Sequence, residues 1–129
     1  MSKRNAEKMI KGYLIDPFAE TCTTVILPYT DFELFEKFRE LMQCHLIDVV
    51  RLGGDTIMFV DDEGRCIDRD YQRWFKLGSD PYAGRSLIFS EDSQGNTKNV
   101  NRSHKEIEEH LEFLPEGFHE EPFMQFVKF

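Results

Sequence analysis

The chain has 129 residues, enough for one domain with a core of its own and no need of metal or disulfide staples. A hydrophobic content of 40% with 13% aromatics excludes a largely disordered chain. Sixteen Lys and Arg against twenty-four Asp and Glu leave a net charge of -8, which argues against direct nucleic-acid binding and against docking on an anionic membrane.

Residues 1–8 are polar and are read as a frayed N-terminus, with 9–129 as one α+β domain. Met9 to Ile15 reads as a strand. Asp16 and Pro17 interrupt it, because Pro lacks a donor and Asp turns onto nearby backbone N–H groups. Thr21 to Leu27 is rich in β-branched residues and predicts the second strand of a hairpin. Thr30 and Glu33 match a capping box, and Leu34, Phe35, Phe38, Leu41 and Met42 recur at helical spacing. Together they predict a helix from about Asp31 to Gln43.

Leu46 to Leu52 and Thr56 to Val60, joined at Gly53-Gly54-Asp55, predict a second hairpin. Asp61 to Gly64 is an acidic turn leading to a short piece at Arg65-Cys66-Ile67. From Asp68 to Leu77 the pattern fits a short helix or an irregular strand equally. Gly78 to Gly84 reads as a loop by composition. Ser86 to Phe89 is a strand, Glu91 to Asn96 a turn, and Thr97 to Val100 a segment able to pair back. Ser103 and Glu106 form a second capping box, starting a helix with Ile107, Leu111 and Leu114 on one face and Pro115 as its stop. The tail Phe123–Phe129 is apolar enough to add a strand. Hairpins dominate, so the expected fold is α+β: one mostly antiparallel sheet of about five to seven strands, with two helices packed on one face.

Cys22, Cys44 and Cys66 form no paired spacing of a disulfide framework or zinc site, and each reads as a small buried hydrophobe. The charged N-terminus is followed by no apolar stretch of signal-peptide type, and apolar runs fall far short of a membrane span. A cytoplasmic location is expected.

Four segments together resemble a small domain family of unknown function found in bacteriophages and mobile elements. They are Gly12 to Val25 (GYLIDPFAETCTTV), Cys44 to Leu52 (CHLIDVVRL), Ile57 to Gly64 (IMFVDDEG) and Ala83 to Asp92 (AGRSLIFSED) leading to Gly95. They cover roughly residues 9–100, with the second helix and tail at 101–129 largely outside. The resemblance implies a phage-like origin and a small cytosolic domain. It implies no activity and carries over no catalytic residue.

The candidate chemistries are weak. Asp61, Asp62 and Glu63 offer hard-cation oxygens but lack EF-hand spacing, and read as a solvated turn. His104 and His110, six residues apart, fall about 600° apart around a helix and share no face. His45 and His119 are isolated. No glycine pattern makes a phosphate loop. No catalytic residue, cofactor or metal is expected. Trp74, with Tyr71, Phe75 and Tyr82, marks an aromatic cluster that fits core filling, a partner anchor or a pocket wall.

From Ser103 to Glu121 there are seven acids against one Lys. On one helix, Glu106, Glu108, Glu109 and Glu112 would span about 9 Å. That is a length over which duplex DNA carries about five charges. Glu106, Glu108, Glu109, Glu112 and Glu116, with Trp74, are therefore the candidate partner-binding residues. The first expectation is a small acidic accessory protein of phage type, non-enzymatic, that binds and modulates a host protein, in one version by nucleic-acid mimicry. The alternatives are a ligand-binding protein or small enzyme with a pocket near Trp74, and a structural protein forming a homodimer through Phe123–Phe129.

Overall fold

The β-branched and aromatic runs become strands, and pairing between distant runs sets their order. The computed structural model describes residues 8–29, 33–64, 67 and 69–120. In chain order the elements are β1 (Met9–Asp16), β2 (Thr21–Pro28), α1 (Leu34–Met42), β3 (Ile47–Gly53) and β4 (Thr56–Asp61). A 3-10 turn (Arg69–Tyr71) follows, then β5 (Trp74–Leu77), β6 (Asp80–Ala83), β7 (Ser86–Glu91), β8 (Thr97–Lys98), α2 (His104–Glu109) and β9 (Leu111–Phe113). The large sheet has the order β2-β1-β7-β4-β3, with β8 on the end of β7; a small sheet has the order β6-β5-β9. All pairings are antiparallel.

The pleat sends alternate residues of the large sheet to opposite faces. Ile10, Leu27, Ile57, Phe59, Leu87 and Phe89 point to one face, where Leu34, Phe38 and Met42 of α1 cover them. Phe38 anchors this layer. Its ring lies 4.8 Å from that of Phe59 and 5.2 Å, stacked, from that of Phe89. Tyr13, Ile15, Met58 and Ile88 point to the other face, against Phe75 of the small sheet, Val100 and Ile107 of α2. The molecule is thus a single small α+β domain in three layers. The two helices lie on opposite faces, not on one as expected. The continuous apolar text of β4 and β7 (Ile57 to Phe59, Leu87 to Phe89) is what a strand buried on both sides requires.

Strand pairing decides the structure in three places where the local pattern pointed elsewhere or left the choice open. The second helix stops at Glu109, because Leu111 and Phe113 leave the helical path to pair with Leu77 and Phe75 of β5. Pro115 is therefore not its terminator. The expected loop at 78–84 contains β6, joined to β5 by the two-residue turn Gly78-Ser79, with Gly78 at φ 65°. Pro81 is tolerated because β6 is an edge strand. The ambiguous stretch before it resolves into the 3-10 turn and β5.

The Ser103 capping box forms as expected, with Glu106 N–H donating to Ser103 Oγ at 3.1 Å and Ser103 N–H donating to Glu106 Oε1 at 3.1 Å. At α1, Leu34–Met42, the N-cap residue is Glu33, without a side-chain cap; Asp31, where the expected helix starts, lies outside the described residues. Thr30, Cys66 and the tail Phe123–Phe129 lie outside the described residues.

Candidate functional site

The segment after β8 is tied to the large sheet at almost every residue. Asn99 Oδ1 accepts from Lys11 N–H at 2.8 Å, and Val100 N–H donates to Lys11 O at 2.9 Å. Asn101 N–H donates to Ser90 Oγ, and its Nδ2 donates to Asp55 Oδ2 at 2.7 Å. The carbonyl of Arg102 accepts from the buried Tyr13 hydroxyl at 2.7 Å. Burial is the largest cause pushing that phenol's pKa up, aided by Cys22 and Glu106. These bonds fix where α2 starts.

Between α2, the β3–β4 end of the large sheet and the β5–β6 turn lies a cleft of about 230 Å³. Leu52, Leu77 and Ile107 make its apolar walls; Thr56, Arg102, Glu106 and His110 supply polar groups. Arg102 Nε donates to Thr56 Oγ1 at 2.6 Å, and Arg102 Nη1 lies 3.6 Å from Glu106 Oε2. The guanidinium is therefore held in one orientation at the mouth. The cleft is smaller than the roughly 300–1,000 Å³ typical of drug-sized ligand sites. Its volume admits a small group or a single inserted side chain.

The candidate acids are spread over several elements. Glu106, Glu108 and Glu109 are on α2, Glu112 is in β9, and Glu116 lies beyond it. The expected run of four carboxylates along one helix is thereby broken, for the reason given above. Arg or Lys side chains stand beside three of them, and His104 beside a fourth. Glu106 faces Arg102, Glu108 Oε1 lies 3.2 Å from His104 Nδ1, Glu116 Oε2 lies 3.3 Å from Arg73 Nη2, and Glu112 is the cross-strand neighbour of Lys76. All five remain exposed.

Trp74 is placed differently. It is 1% exposed, its indole N–H donates to Gln72 Oε1 at 2.9 Å, and its ring meets Phe118 edge-on at 5.3 Å. It therefore presents no surface to a partner. The cleft opens at the other end of its strand, beside Leu77. Of the neighbouring aromatics, Phe75 is buried against Tyr82 and Tyr71 is 69% exposed.

Burial raises the Cys22 thiol to about 11, with Glu108 adding to it, and burial likewise raises Cys44 to about 11. Thiols so shifted are poor nucleophiles. Asp61, Asp62 and Glu63 do not converge, and among the described residues no three His, Cys, Asp or Glu side chains are gathered to hold a metal ion. Among the described residues no helix is long and apolar enough to cross a membrane.

Sequence reading missed the cleft because its lining comes from three segments far apart in the chain, 52–56, 77–78 and 102–110. One signal was legible: Thr56 is a hydroxyl at the head of the apolar run Ile57–Val60, and a hydroxyl buried with such a run, as the structure shows it at 1% exposure, needs a partner.

Fold and cleft define a three-layer α+β domain with a small polar-mouthed site beside an acidic segment. The chain belongs to the family described as Domain of unknown function (DUF3846), whose profile matches residues 10–112. The match takes in α2 and most of β9, beyond the residue-100 limit of the quoted segments. No match was found among curated proteins or among solved structures.

Proposed function

We propose that the chain is a non-enzymatic accessory protein that binds and modulates another protein through the ridge formed by α2, β9 and the residues up to Glu116. The observation that carries this is that Glu106, Glu108, Glu109, Glu112 and Glu116, though divided among α2, β9 and the residues after it, are all exposed, with Glu106 lining the cleft beside Arg102 and His110. A basic partner surface meets the exposed acids of the ridge, and the cleft receives one of its side chains. The net charge of -8 steers a basic partner toward it. Nucleic-acid mimicry is the version in which the occupied surface is itself a DNA or RNA site. The resemblance to phage and mobile-element domains, with the free thiols of Cys22 and Cys44, supports action in a host cytosol.

The test is affinity capture from host cytosol at low and high salt, followed by binding measurements on the captured protein. The triple change Glu108→Gln, Glu109→Gln and Glu112→Gln should abolish binding, and binding should weaken steeply as salt rises. Displacement of the captured partner by duplex DNA identifies the mimicry version. Full binding by the triple variant at low salt would rule the ridge out.

A second reading, capture of a small anion in the cleft, is favoured by the oriented Arg102 guanidinium. Chemical-shift changes at Arg102 and His110 on titrating inorganic phosphate would support it. Unchanged shifts would end it.

A further inference from the structure

The four outer strands of the two sheets are not equally protected. Asp62 N–H donates to Leu46 O, so the even-numbered residues of β3 bond inward to β4 and Val49 faces out. That outward Val49 N–H is met by Asp48 Oδ1 at 2.8 Å; β3 also carries Arg51 and a register shift between Arg51 and Gly53. β6 carries Asp80 and Pro81, and β9 has three residues. Charges, bulges, Pro and shortness are the usual devices that blunt an edge. β2 has eight residues, no charge, no break in register, and Pro only at its last position. Among the described residues no strand pairs with its outer side.

The outward groups of β2 follow from one bond. Tyr29 N–H donates to Lys8 O at 2.8 Å, so that pair and every second pair after it bond inward to β1. Cys22, Thr24, Ile26 and Pro28 therefore turn their backbone groups to the outer edge, which no other described strand pairs with. Two of those groups are special. The Cys22 carbonyl is already met by His104 Nε2 at 2.6 Å, and Pro28 has no N–H.

We propose that β2 pairs with β2 of a second copy of this chain, antiparallel, about a two-fold axis at Val25. In that register Thr24 and Ile26 exchange both backbone bonds with Ile26 and Thr24 of the other copy, and each Cys22 N–H meets a Pro28 carbonyl. The bond the ladder omits is the one between the Pro28 position and the Cys22 carbonyl, where one side has no donor and the other is occupied. A shift that sets Thr24 against itself asks Ile26 N–H for the carbonyl His104 holds. A shift that sets Ile26 against itself leaves the Thr24 carbonyl facing Pro28. The favoured register also keeps each face of the sheet continuous and covers Ile26, which is 60% exposed.

Sedimentation of the full chain across a concentration series should show a monomer–dimer equilibrium that tightens as salt screens the like charges of the two copies. Thr24→Pro, which removes an outward donor, and Ile26→Lys, which puts a charge on the edge, should each weaken the dimer by about tenfold or more. Their circular dichroism should stay unchanged, and the two variants check each other if one fails to fold. Val25→Cys should cross-link on oxidation, since its Cα would face its own copy at about 4.5 Å. Thr23→Cys, about 13 Å from its copy, should not. A wild-type chain that stays monomeric at high concentration and salt would overturn the proposal. So would a dimer that survives both edge variants but is lost on truncation after Pro122, which would assign association to the tail.

Discussion

Gly12 sits in β1 where an alanine methyl has nowhere to go. A Cβ built there lies 2.4 Å from Phe89 Cε1 and 2.5 Å from the Ile88 carbonyl, against ordinary contacts of 3.4–4 Å. The overlap is about 1 Å on two sides. Neither neighbour yields easily: Phe89 is 0% exposed and stacked on Phe38, and Ile88 lies in the middle of the sheet, paired with Tyr13 and Met58. Overpacking of this kind costs about 1–3 kcal/mol, and occasionally more. The opposing gain, from restricting the unfolded chain, is about 0.4–1 kcal/mol. The steric term wins, and Gly12→Ala should lose about 2 kcal/mol. An unfolding entropy of roughly 2.1 cal/mol/K per residue gives about 0.27 kcal/mol/K for a chain of this length. The melting temperature should therefore fall by about 7 °C in a calorimetric or circular-dichroism melt. Adding Phe89→Leu should recover part of the loss, with a coupling of about 1 kcal/mol in the double-mutant cycle. A variant as stable as the wild type, or one that Phe89→Leu fails to relieve, would refute this account of the packing.

Two further outcomes follow from the charges. Burial is the largest cause raising the Asp61 carboxyl above its usual pKa, with Glu63 and Asp62 adding to it despite the hydrogen bond from Glu63 N–H. A carboxyl raised in the folded state binds its proton more tightly there than in the unfolded chain, so its ionisation lowers stability as pH climbs from the unfolded value through the folded one. Asp61→Asn keeps the Oδ1 acceptor and should raise stability at pH 7 by less than about 1 kcal/mol, since the group is half exposed. In urea titrations across pH this gain should vanish below about pH 4, and a variant that loses stability at pH 7 would contradict the sign. Cys22 and Cys44, with thiols near 11, should react with a disulfide reagent at pH 8 far more slowly in the native chain than in urea. Equal rates in the two conditions would show that neither thiol is shielded.

What could be read from the residues was what they decide locally. The hairpins β1–β2 and β3–β4 follow from β-branched runs separated by turn formers, α1 from the spacing of Leu34, Phe38 and Met42, and the start of α2 from Ser103 and Glu106. What could not be read was set by partners distant in sequence. Leu111 and Phe113 fit a helical face and a strand face equally well, and only the edge of β5 decides between them. Trp74 reads alike as core and as anchor until Gln72 and Phe118 enclose it. The cleft needs Thr56 and Arg102, forty-six positions apart, to meet at 2.6 Å, and no local rule places them.

The contrast between the two edges of the large sheet has a related cause. A charged residue in a strand looks like any solvated residue, yet Asp48 earns its position by closing the outward N–H of Val49. In β2 the β-branched text predicts a hairpin strand without saying whether its outer side is covered. The structure leaves Thr23, Thr24 and Ile26 exposed, on a strand bonded on one side only among the described residues. An uncharged edge strand with open backbone groups is a pairing template. Acidic docking at α2 weakens with salt, whereas pairing of two like-charged copies at β2 strengthens with it. One salt series on the full chain and its partner therefore separates the two surfaces, because a shared interface cannot respond in both directions.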